Sequence, residues 1–188
     1  LSNLPCKITD AGIIPDRLNE LETRLSALAS TTDIIVTTGG ASVGDHDLVQ
    51  AALRNIGADM DFWKVAMRPG KPVMAGKIGN TIVLGLPGNP TSAFVTAFLF
   101  LLPLIRHMAG SLSPLPEIFE AKADNALFPG GSRAEYVRGR VEGGSITAFT
   151  TRDSGLVSPL SHSNALIIRD VNAPEAPTGA IVQYHRLF

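Results

Sequence analysis

The stretch "GLPGNPTSAFV", residues 85–95, joins a run of strand-forming residues, "TIVLGL", to a long apolar run. Two glycines and two prolines are more than an ordinary turn requires. Where a strand turns into a helix, the first N–H groups of the helix are unpaired, and the helix dipole adds partial positive charge. Glycine also lets the backbone approach a ligand closely. The stretch therefore predicts an α/β unit with an oxyanion site at this turn.

A second glycine turn, "TTGGASVGD" at residues 37–45, also lies between a strand pattern, "DIIVTT", and a helix pattern, "DHDLVQAALRNIG". Neither turn has the spacing of a nucleotide P-loop or of a dinucleotide fingerprint. A single glycine turn is often no more than a turn. Two of them, each with a hydroxyl residue (Ser42 and Ser92), favour one shared ligand site, because neighbouring strands of an α/β sheet end at the same crevice.

Residues 1–110 alternate between strand and helix patterns, which predicts an α/β layer around a parallel sheet. A helix is expected over "DRLNELETRLSALAS", with Asp16 as its N-cap and four leucines at helical spacing, Leu18, Leu21, Leu25 and Leu28. The segments "FWKVAM" and "PVMAGKI" are predicted strands. A long apolar helix should begin near Pro90, and we expect Pro103 to kink or interrupt it.

The helical pattern disappears after residue 110. "SLSPLPE", residues 111–117, is predicted to be a linker, because it is rich in serine and proline and lacks apolar periodicity. Residues 118–188 contain five short strand candidates: "EIFEAKAD", "AEYVRGRVE", "SITAFTT", "NALIIRD" and "AIVQYHRLF". This spacing of strands predicts a small β-barrel or sandwich.

Composition limits the possible partners and compartments. Sixteen basic and seventeen acidic residues give a net charge of -1, which provides no basic surface for nucleic acid or for an anionic membrane. The apolar run "AFVTAFLFLLPLI" is shorter than the roughly 20 residues that span a bilayer. The single cysteine, Cys6, is predicted to be buried in a strand. Together with the lack of a secretory pattern in the residues given, it leads us to expect a cytoplasmic protein.

Charged residues near the glycine turns are candidates for ligand binding. Asp45 and Asp47 could chelate Mg²⁺, which prefers carboxylate oxygen, water and phosphate, although N-capping of the next helix is an alternative role for Asp45. Lys64, Arg68 and Lys71 surround a Pro-Gly turn. Such a group of cations is often only a solvated surface, but the turn fixes their direction, so we favour an anion clamp.

Three motifs together, "TTGGASVGDHDLV", "FWKVAMRPGKPV" and "GLPGNPTSAFV", resemble the molybdopterin molybdenumtransferase family, called MoeA in bacteria and the E domain in gephyrin. The tail sequences "SRAEYVRGRV" and "SGLVSPLSHSNALIIRD" are similar to the C-terminal domain of that family. The resemblance implies a MoCF-like (MogA-like) three-layer αβα domain over residues 1–110, followed by a small all-β barrel-like domain. It also leads us to expect a C-terminal fragment in which the first strand and helix of the MoCF-like domain are missing.

The activity implied by the resemblance is the insertion of molybdate into adenylylated molybdopterin, with Mg²⁺ and with release of AMP. A homodimer is implied as well, and the molybdopterin adenylyltransferase is a possible partner. The fragment alone is expected to be inactive. Two other functions stay open: a molybdopterin adenylyltransferase of the same superfamily, and a binding or scaffold module without catalysis. An assay of AMP transfer from ATP against AMP release with molybdate would distinguish them.

The resemblance also assigns the candidate site residues. The implied molybdate ligands are Ser42, Lys71, Ser92 and Arg133, the implied catalytic residues are Asp45, Asp47, Lys64 and Lys71, and both aspartates are the implied metal ligands. The implied molybdopterin contacts are Gly39, Gly40, Asp47, Lys64, Arg68, Pro87, Gly88, Asn89 and Pro90. The chain departs from the family where Arg17 replaces a frequent second aspartate and where Ser158-Pro159 replaces a frequent pair of serines.

Overall fold

A computed structural model describes residues 4–40, 48–62, 64–149 and 158–187. The chain forms two compact units, Leu1–Val65 with Gly70–Asn89, and Ala66–Pro69 with Pro90–Phe188. The strands are β1 Ile34–Thr38, β2 Asp59–Phe62, β3 Met67–Arg68, β4 Met74–Ile78, β5 Thr81–Leu86, β6 Phe119–Ala123, β7 Ala134–Glu142, β8 Ser145–Ala148, β9 Ala165–Arg169 and β10 Ile181–Arg186. The α-helices are α1 Leu18–Ala29, α2 Leu48–Asn55, α3 Pro90–Thr96, α4 Leu102–Met108 and α5 Ser158–Ser161.

The sheet of the first unit has the strand order β1-β5-β4-β2. Only the β1–β5 pair is parallel, whereas β4 runs antiparallel to both β5 and β2. The prediction of a parallel sheet is therefore confirmed for the β1–β5 pair and wrong for β4 and β2. The reason is local, because the tight turn "GN" at residues 79–80 joins β4 directly to β5, and only antiparallel strands can be joined in this way.

Helices α1 and α2 pack against this sheet. Their apolar side chains form one core with residues of the strands, and the buried members are Leu21, Leu25, Ile35, Ala52, Leu53, Met74 and Val83. The leucine spacing thus predicted α1 correctly. Asp16 is not its N-cap, since Arg17 takes that position and makes no capping hydrogen bond through its side chain. Cys6 is exposed and lies outside any strand, so its predicted burial in a strand is wrong as well.

The second unit contains a closed β-barrel. Strands follow the order β7-β8-β6-β10-β9, and β9 pairs again with β7, which closes the sheet; β3 adds to β7 in parallel. Each of the five strand candidates in the tail forms one of these strands. Small and β-branched side chains fill the interior, among them Ala121, Ala123, Val141, Ile146, Ala165, Ile167 and Val182. In the described part of residues 118–188, the longest helix is the four-residue α5.

Residues 90–108 form one helix that belongs to the barrel unit. Between α3 and α4 it contains a π-helical turn, Ala97–Leu101, whose wider ring shifts the hydrogen-bonding pattern just before Pro103. Pro103 therefore lies at the start of α4 and does not end the helix there. Within the unit, the Phe98 ring lies 6.0 Å from the ring of His185 on β10. The predicted linker at residues 111–117 stays a prediction, while the compact units divide between Asn89 and Pro90.

The same helix is long and apolar enough to cross a membrane by length and composition alone. The core helix of a water-soluble protein meets the same two criteria. Several of its apolar side chains are buried within the chain, including Val95, Phe98, Leu101 and Ile105. The helix is thus weak evidence for a membrane span.

The close approach of β2 to β4 gives a test of this fold. A Cβ atom at Gly76 would lie 2.5 Å from the carbonyl oxygen of Asp59 and 2.9 Å from Cα of Met60, so the backbone would have to move. We expect Gly76→Ala to lower the free energy of unfolding by about 1–3 kcal/mol in urea denaturation followed by circular dichroism. Gly131→Ala is the control, because its Cβ would meet no atom within 4 Å. Equal stability of the two variants would contradict the strand pairing.

Candidate functional site

The two glycine turns lie side by side in the first unit. Strands β1 and β5 pair in register from Ile34–Ile82 to Thr38–Leu86, so both strands end at the same level. The pairing continues beyond the strands, because the Gly39 N–H donates to the Leu86 carbonyl oxygen at 3.1 Å. A Cβ atom on Gly88 would lie 3.5 Å from Cα of Gly39. The predicted adjacency of the turns is confirmed for these residues.

The glycines in these turns have different physical roles. Gly39 and Gly40 have φ angles of 83° and 66°, in the left-handed region where residues with a side chain are strained. Gly88 is exposed and lies directly beside Gly39. Gly85 is buried instead, and a side chain there would collide with Met74. Of the two glycines in "GLPG", Gly85 is therefore required for packing, and Gly88 leaves the backbone exposed at the turn.

Helix α1 also begins at this edge of the sheet. A short connection joins the end of α1 to the start of β1, and the helix contacts that strand, so α1 runs back antiparallel to β1. Its first turn, after Arg17, therefore lies at the end of the sheet where Thr38 and Leu86 finish. Arg17 is paired with Glu20 at 2.9 Å on the surface. This exposed pair contributes little stability.

Two of the predicted cations belong to the first unit. Lys64 and Lys71 are both exposed, and the Val65 N–H donates to the carbonyl oxygen of Lys71 at 3.0 Å. This hydrogen bond joins the two ends of the segment "VAMRPGK", residues 65–71, so the backbones of Lys64 and Lys71 lie near each other. The ammonium group of a lysine is a compact positive charge, which suits it to bind an anion.

The other two cations belong to the barrel unit. Arg68 on β3 lies opposite Glu135 on β7, and their charged groups are 3.8 Å apart. Arg133 directly precedes β7 and is half-buried. The Ala134 N–H donates to the carbonyl oxygen of Ala66 at 3.0 Å, which fixes the start of β7 against this segment. Arg68 thus lies on the strand that pairs with the start of β7, directly after Arg133, and Glu135 partly balances the charge of Arg68.

The "PGNPTS" residues continue from the turn into α3. Pro87 is buried, Asn89 is half-buried, and Pro90 is exposed at the first position of the helix, where proline needs no N–H partner. Ser92 is 7% exposed, and its carbonyl oxygen accepts a hydrogen bond from Thr96 Oγ1 at 2.7 Å. Ser92 is therefore part of the packed helix, which makes it less accessible than its position in the motif suggested.

Three predicted site residues, Ser42, Asp45 and Asp47, lie outside the described residues. The convergence of Ser42 and Ser92 on one ligand and the Mg²⁺ site at the two aspartates therefore stay predictions. Within residues 4–40, 48–62, 64–149 and 158–187, no group of three or more His, Cys, Asp or Glu residues is arranged to hold a metal ion.

Sequence reasoning missed two polar groups with unusual environments. Thr37 Oγ1, near the end of β1, is buried and has no hydrogen-bond partner among the described residues. In the barrel unit, burial and the nearby Asp170 carboxylate both raise the pKa of Tyr136, whose ring stacks on that of His185. A signal for Thr37 was present in the sequence, since a hydroxyl residue stands where an apolar strand meets a glycine pair.

The fold defines an α/β protein that continues into a C-terminal β-barrel. A family model described as a probable molybdopterin binding domain matches residues 1–107, and a model described as the MoeA C-terminal region (domain IV) matches residues 120–187. The chain belongs to this molybdopterin-binding family and carries the MoeA type of C-terminal region. The resemblance predicted from the three motifs and the tail is thereby confirmed.

Curated relatives are similar over most of the chain. A molybdopterin molybdenumtransferase of Haemophilus influenzae is 35% identical over 97% of this chain and 46% of its own length. One of Nostoc sp. is 32% identical over 84% of this chain and 38% of its own length. The chain therefore spans less than half the length of these relatives.

Solved structures share the fold at low sequence identity. A molybdopterin biosynthesis MoeA protein from Pyrococcus horikosii has a TM-score of 0.78 and 22% identity, over 94% of this chain and 43% of that chain. A molybdenum cofactor biosynthesis protein from Pyrococcus furiosus has a TM-score of 0.75 and 19% identity, over 94% of this chain and 57% of that chain. At this identity, the likeness shows the fold alone.

The left-handed backbone at Gly39 can be tested against a matched glycine. Gly79, in the β4–β5 turn of the same unit, has a φ angle of 57°, and neither glycine has an atom within 4 Å of an added Cβ. Both Gly39→Ala and Gly79→Ala should lower the free energy of unfolding by about 1–2 kcal/mol, because both strain the backbone in the same way. If the predicted oxyanion site lies at this turn, only Gly39→Ala should also weaken the binding of an oxyanion in a calorimetric titration, with molybdate as the probe. Unchanged binding in Gly39→Ala would place the anion site elsewhere, and an equal loss in both variants would mean that binding only follows stability.

Proposed function

We propose that the protein represented by this chain inserts molybdate into adenylylated molybdopterin and releases AMP. The observation that supports this most directly is the placement of two glycine turns side by side at the ends of β1 and β5. The curated relatives named above carry the name of this activity, and the barrel region matches the MoeA C-terminal model. That last match also favours this activity over adenylyl transfer, the first alternative.

The chemistry of molybdate suits these turns. Molybdate is a small tetrahedral dianion, so it needs amide and hydroxyl donors together with a compact positive charge. Gly39 and Gly40 expose backbone without side chains that would crowd the ion, and Lys71 is an exposed ammonium group. In our proposal, Lys71 is the counter-charge, while Ser42, Ser92 and Arg133 supply further donors.

Adenylylated molybdopterin, the larger of the two substrates, would bind along the same glycine turns. We assign the phosphate of this substrate to the side of Lys64 and Asp47. The substrate atoms next to the phosphate would contact Gly39, Gly40 and Arg68. The rigid loop at residues 87–90 would complete this surface. Two prolines restrict that loop before the substrate arrives, which lowers the entropy that binding would otherwise cost.

Mg²⁺ is proposed at Asp45 and Asp47. Two carboxylates two residues apart are a donor set that fits this ion, which also keeps water and phosphate oxygens as ligands. The bound ion would supply positive charge where the phosphoanhydride to AMP is cleaved. The carboxylates themselves would bind and orient it, and their mutual repulsion would fall when it binds.

We further propose that the protein works in the cytoplasm as a homodimer and receives its substrate from a molybdopterin adenylyltransferase. The near-neutral net charge agrees with small-molecule substrates and gives no basis for nucleic-acid binding. Because the chain spans less than half of the relatives' length, we expect the 188 residues alone to bind ligands without turning them over.

An assay of the complete gene product tests the proposed function. With adenylylated molybdopterin, molybdate and Mg²⁺, AMP should appear, and its release should require molybdate. Release of AMP that is independent of molybdate would contradict the proposal. Transfer of AMP from ATP to molybdopterin would indicate the adenylyltransferase, and the absence of both reactions would indicate a scaffold module.

Lys71 provides a prediction for the molybdate site. A charge-assisted hydrogen bond contributes on the order of 1.5–3 kcal/mol, so Lys71→Ala should weaken molybdate binding roughly ten- to a hundredfold. Tungstate should be affected equally, because it has the same charge and shape. Lys77→Ala is the control, since Lys77 is an exposed lysine on β4 of the same unit. If both variants bind like the wild type, Lys71 is not the counter-charge.

Asp47 provides a prediction for the metal site. Asp47→Asn keeps the size of the side chain and removes its negative charge, so AMP release should become slower and require more Mg²⁺. The matched control is Asp61→Asn, an exposed aspartate on β2. The Mg²⁺ concentration at half-maximal rate is the quantity to measure. An unchanged value in both Asp45→Asn and Asp47→Asn would place the metal ion at other residues.

A further inference from the structure

We propose that Thr37 is a positioning residue for the anion site, whose hydroxyl group holds the Gly39–Gly40 turn in its ligand-binding form. The proposal rests on the proposed function of that turn. It starts from one atom: Thr37 Oγ1 is buried and finds no hydrogen-bond partner among the residues that the structure describes. The residue lies two positions before Gly39 and directly opposite Gly85 on β5.

An unpaired buried hydroxyl group lowers stability, because it has lost its hydrogen bonds to water and gained none in exchange. Valine has nearly the same shape, prefers strands as strongly, and would avoid this cost. The rest of the strand follows that preference, since the residues before Thr37 are Ile34, Ile35 and Val36. Thr38, the other hydroxyl residue of the strand, is exposed to water, so the buried and unpaired hydroxyl group of Thr37 is the one that needs a state of the protein in which it is used.

The direction of the side chain connects it to the turn. Alternate residues of a strand point to the same face, so Thr37 shares the face of Ile35, which packs with α1 and α2. Thr38 points to the opposite face and is exposed. The Thr37 side chain thus lies on the side of the sheet that α1 and α2 cover, two residues before the chain turns at Gly39.

In this proposal, the backbone of the turn becomes the partner of the Thr37 hydroxyl group when the ligand binds. The Gly39 N–H is already bonded to Leu86, whereas both glycines have the left-handed φ angles that allow peptide groups to rotate with little steric cost. When an anion draws N–H groups of the turn towards itself, the peptide groups reorient. A carbonyl oxygen of the turn can then accept a hydrogen bond from the Thr37 hydroxyl group. A hydrogen bond that forms only in the bound state adds its whole free energy to ligand affinity.

The experiment compares Thr37→Val, Thr37→Ser and Thr38→Val in the 188-residue chain, with molybdate and tungstate as probes. Thr37→Val should bind both oxyanions about tenfold more weakly than the wild type. Its stability in urea without ligand should be unchanged or higher, because the unpaired hydroxyl group is gone. Thr37→Ser should restore the affinity, and Thr38→Val should leave it unchanged. A threonine with a merely structural hydrogen bond would give a less stable valine variant.

The outcomes distinguish a failure of the proposed function of the turn from a failure of the role of Thr37. If the wild type binds neither oxyanion, the proposed function of the turn fails, and the role of Thr37 fails with it. If the wild type binds and Thr37→Val binds equally well, only the role of Thr37 is wrong. A loss of affinity that is accompanied by a loss of stability, or that Thr37→Ser does not restore, overturns the positioning role as well.

Discussion

The parallel pairing of β1 with β5 is the constraint on which the candidate site depends. Five residue pairs hold the strands in register, and the hydrogen bond from Gly39 to Leu86 extends that register into the turns. A shift by one residue would turn every side chain of β1 to the other face and would separate the two turns. The packing of Ile35 and Val83 into the same core, beneath α1 and α2, resists such a shift.

The mixed sheet shows how a local signal can override a general expectation. An α/β sequence pattern favours parallel strands, and the parallel β1–β5 pair follows that pattern. The β4–β5 hairpin does not, because its tight turn reverses the chain before any crossover helix can form. Antiparallel pairing also allows the close contact of Gly76 with β2, which a residue with a side chain would prevent. The two glycine turns of the candidate site follow the strands of the parallel pair, β1 and β5.

The barrel unit depends on the closure of its sheet and on the helix at residues 90–108, which contains a π-helical turn. Pairing of β9 with β7 leaves the barrel without a free edge between its first and last strands. The helix at residues 90–108 contributes Phe98 to the outer surface of this barrel, against His185, and its π-helical turn lies at the same place. A turn that widens there also spares Pro103 a clash with the preceding turn.

The sequence by itself determined the type and order of most elements and the position of both glycine turns. These features are local, because burying one face of a helix or strand requires apolar residues at a fixed spacing within that segment. Examples are the leucine spacing in α1, the β-branched runs in β1 and β5, and the short alternating strands of the barrel. The tertiary structure alone decided the direction of β4, the exposure of Cys6, the packing role of Gly85 and the burial of Ser92. Each of these depends on which distant residue lies opposite, as Met74 does for Gly85, and no local pattern records that neighbour. For the same reason, only the fold could show that Thr37 has a buried hydroxyl group without a described partner beside the turn that its sequence neighbours had already indicated.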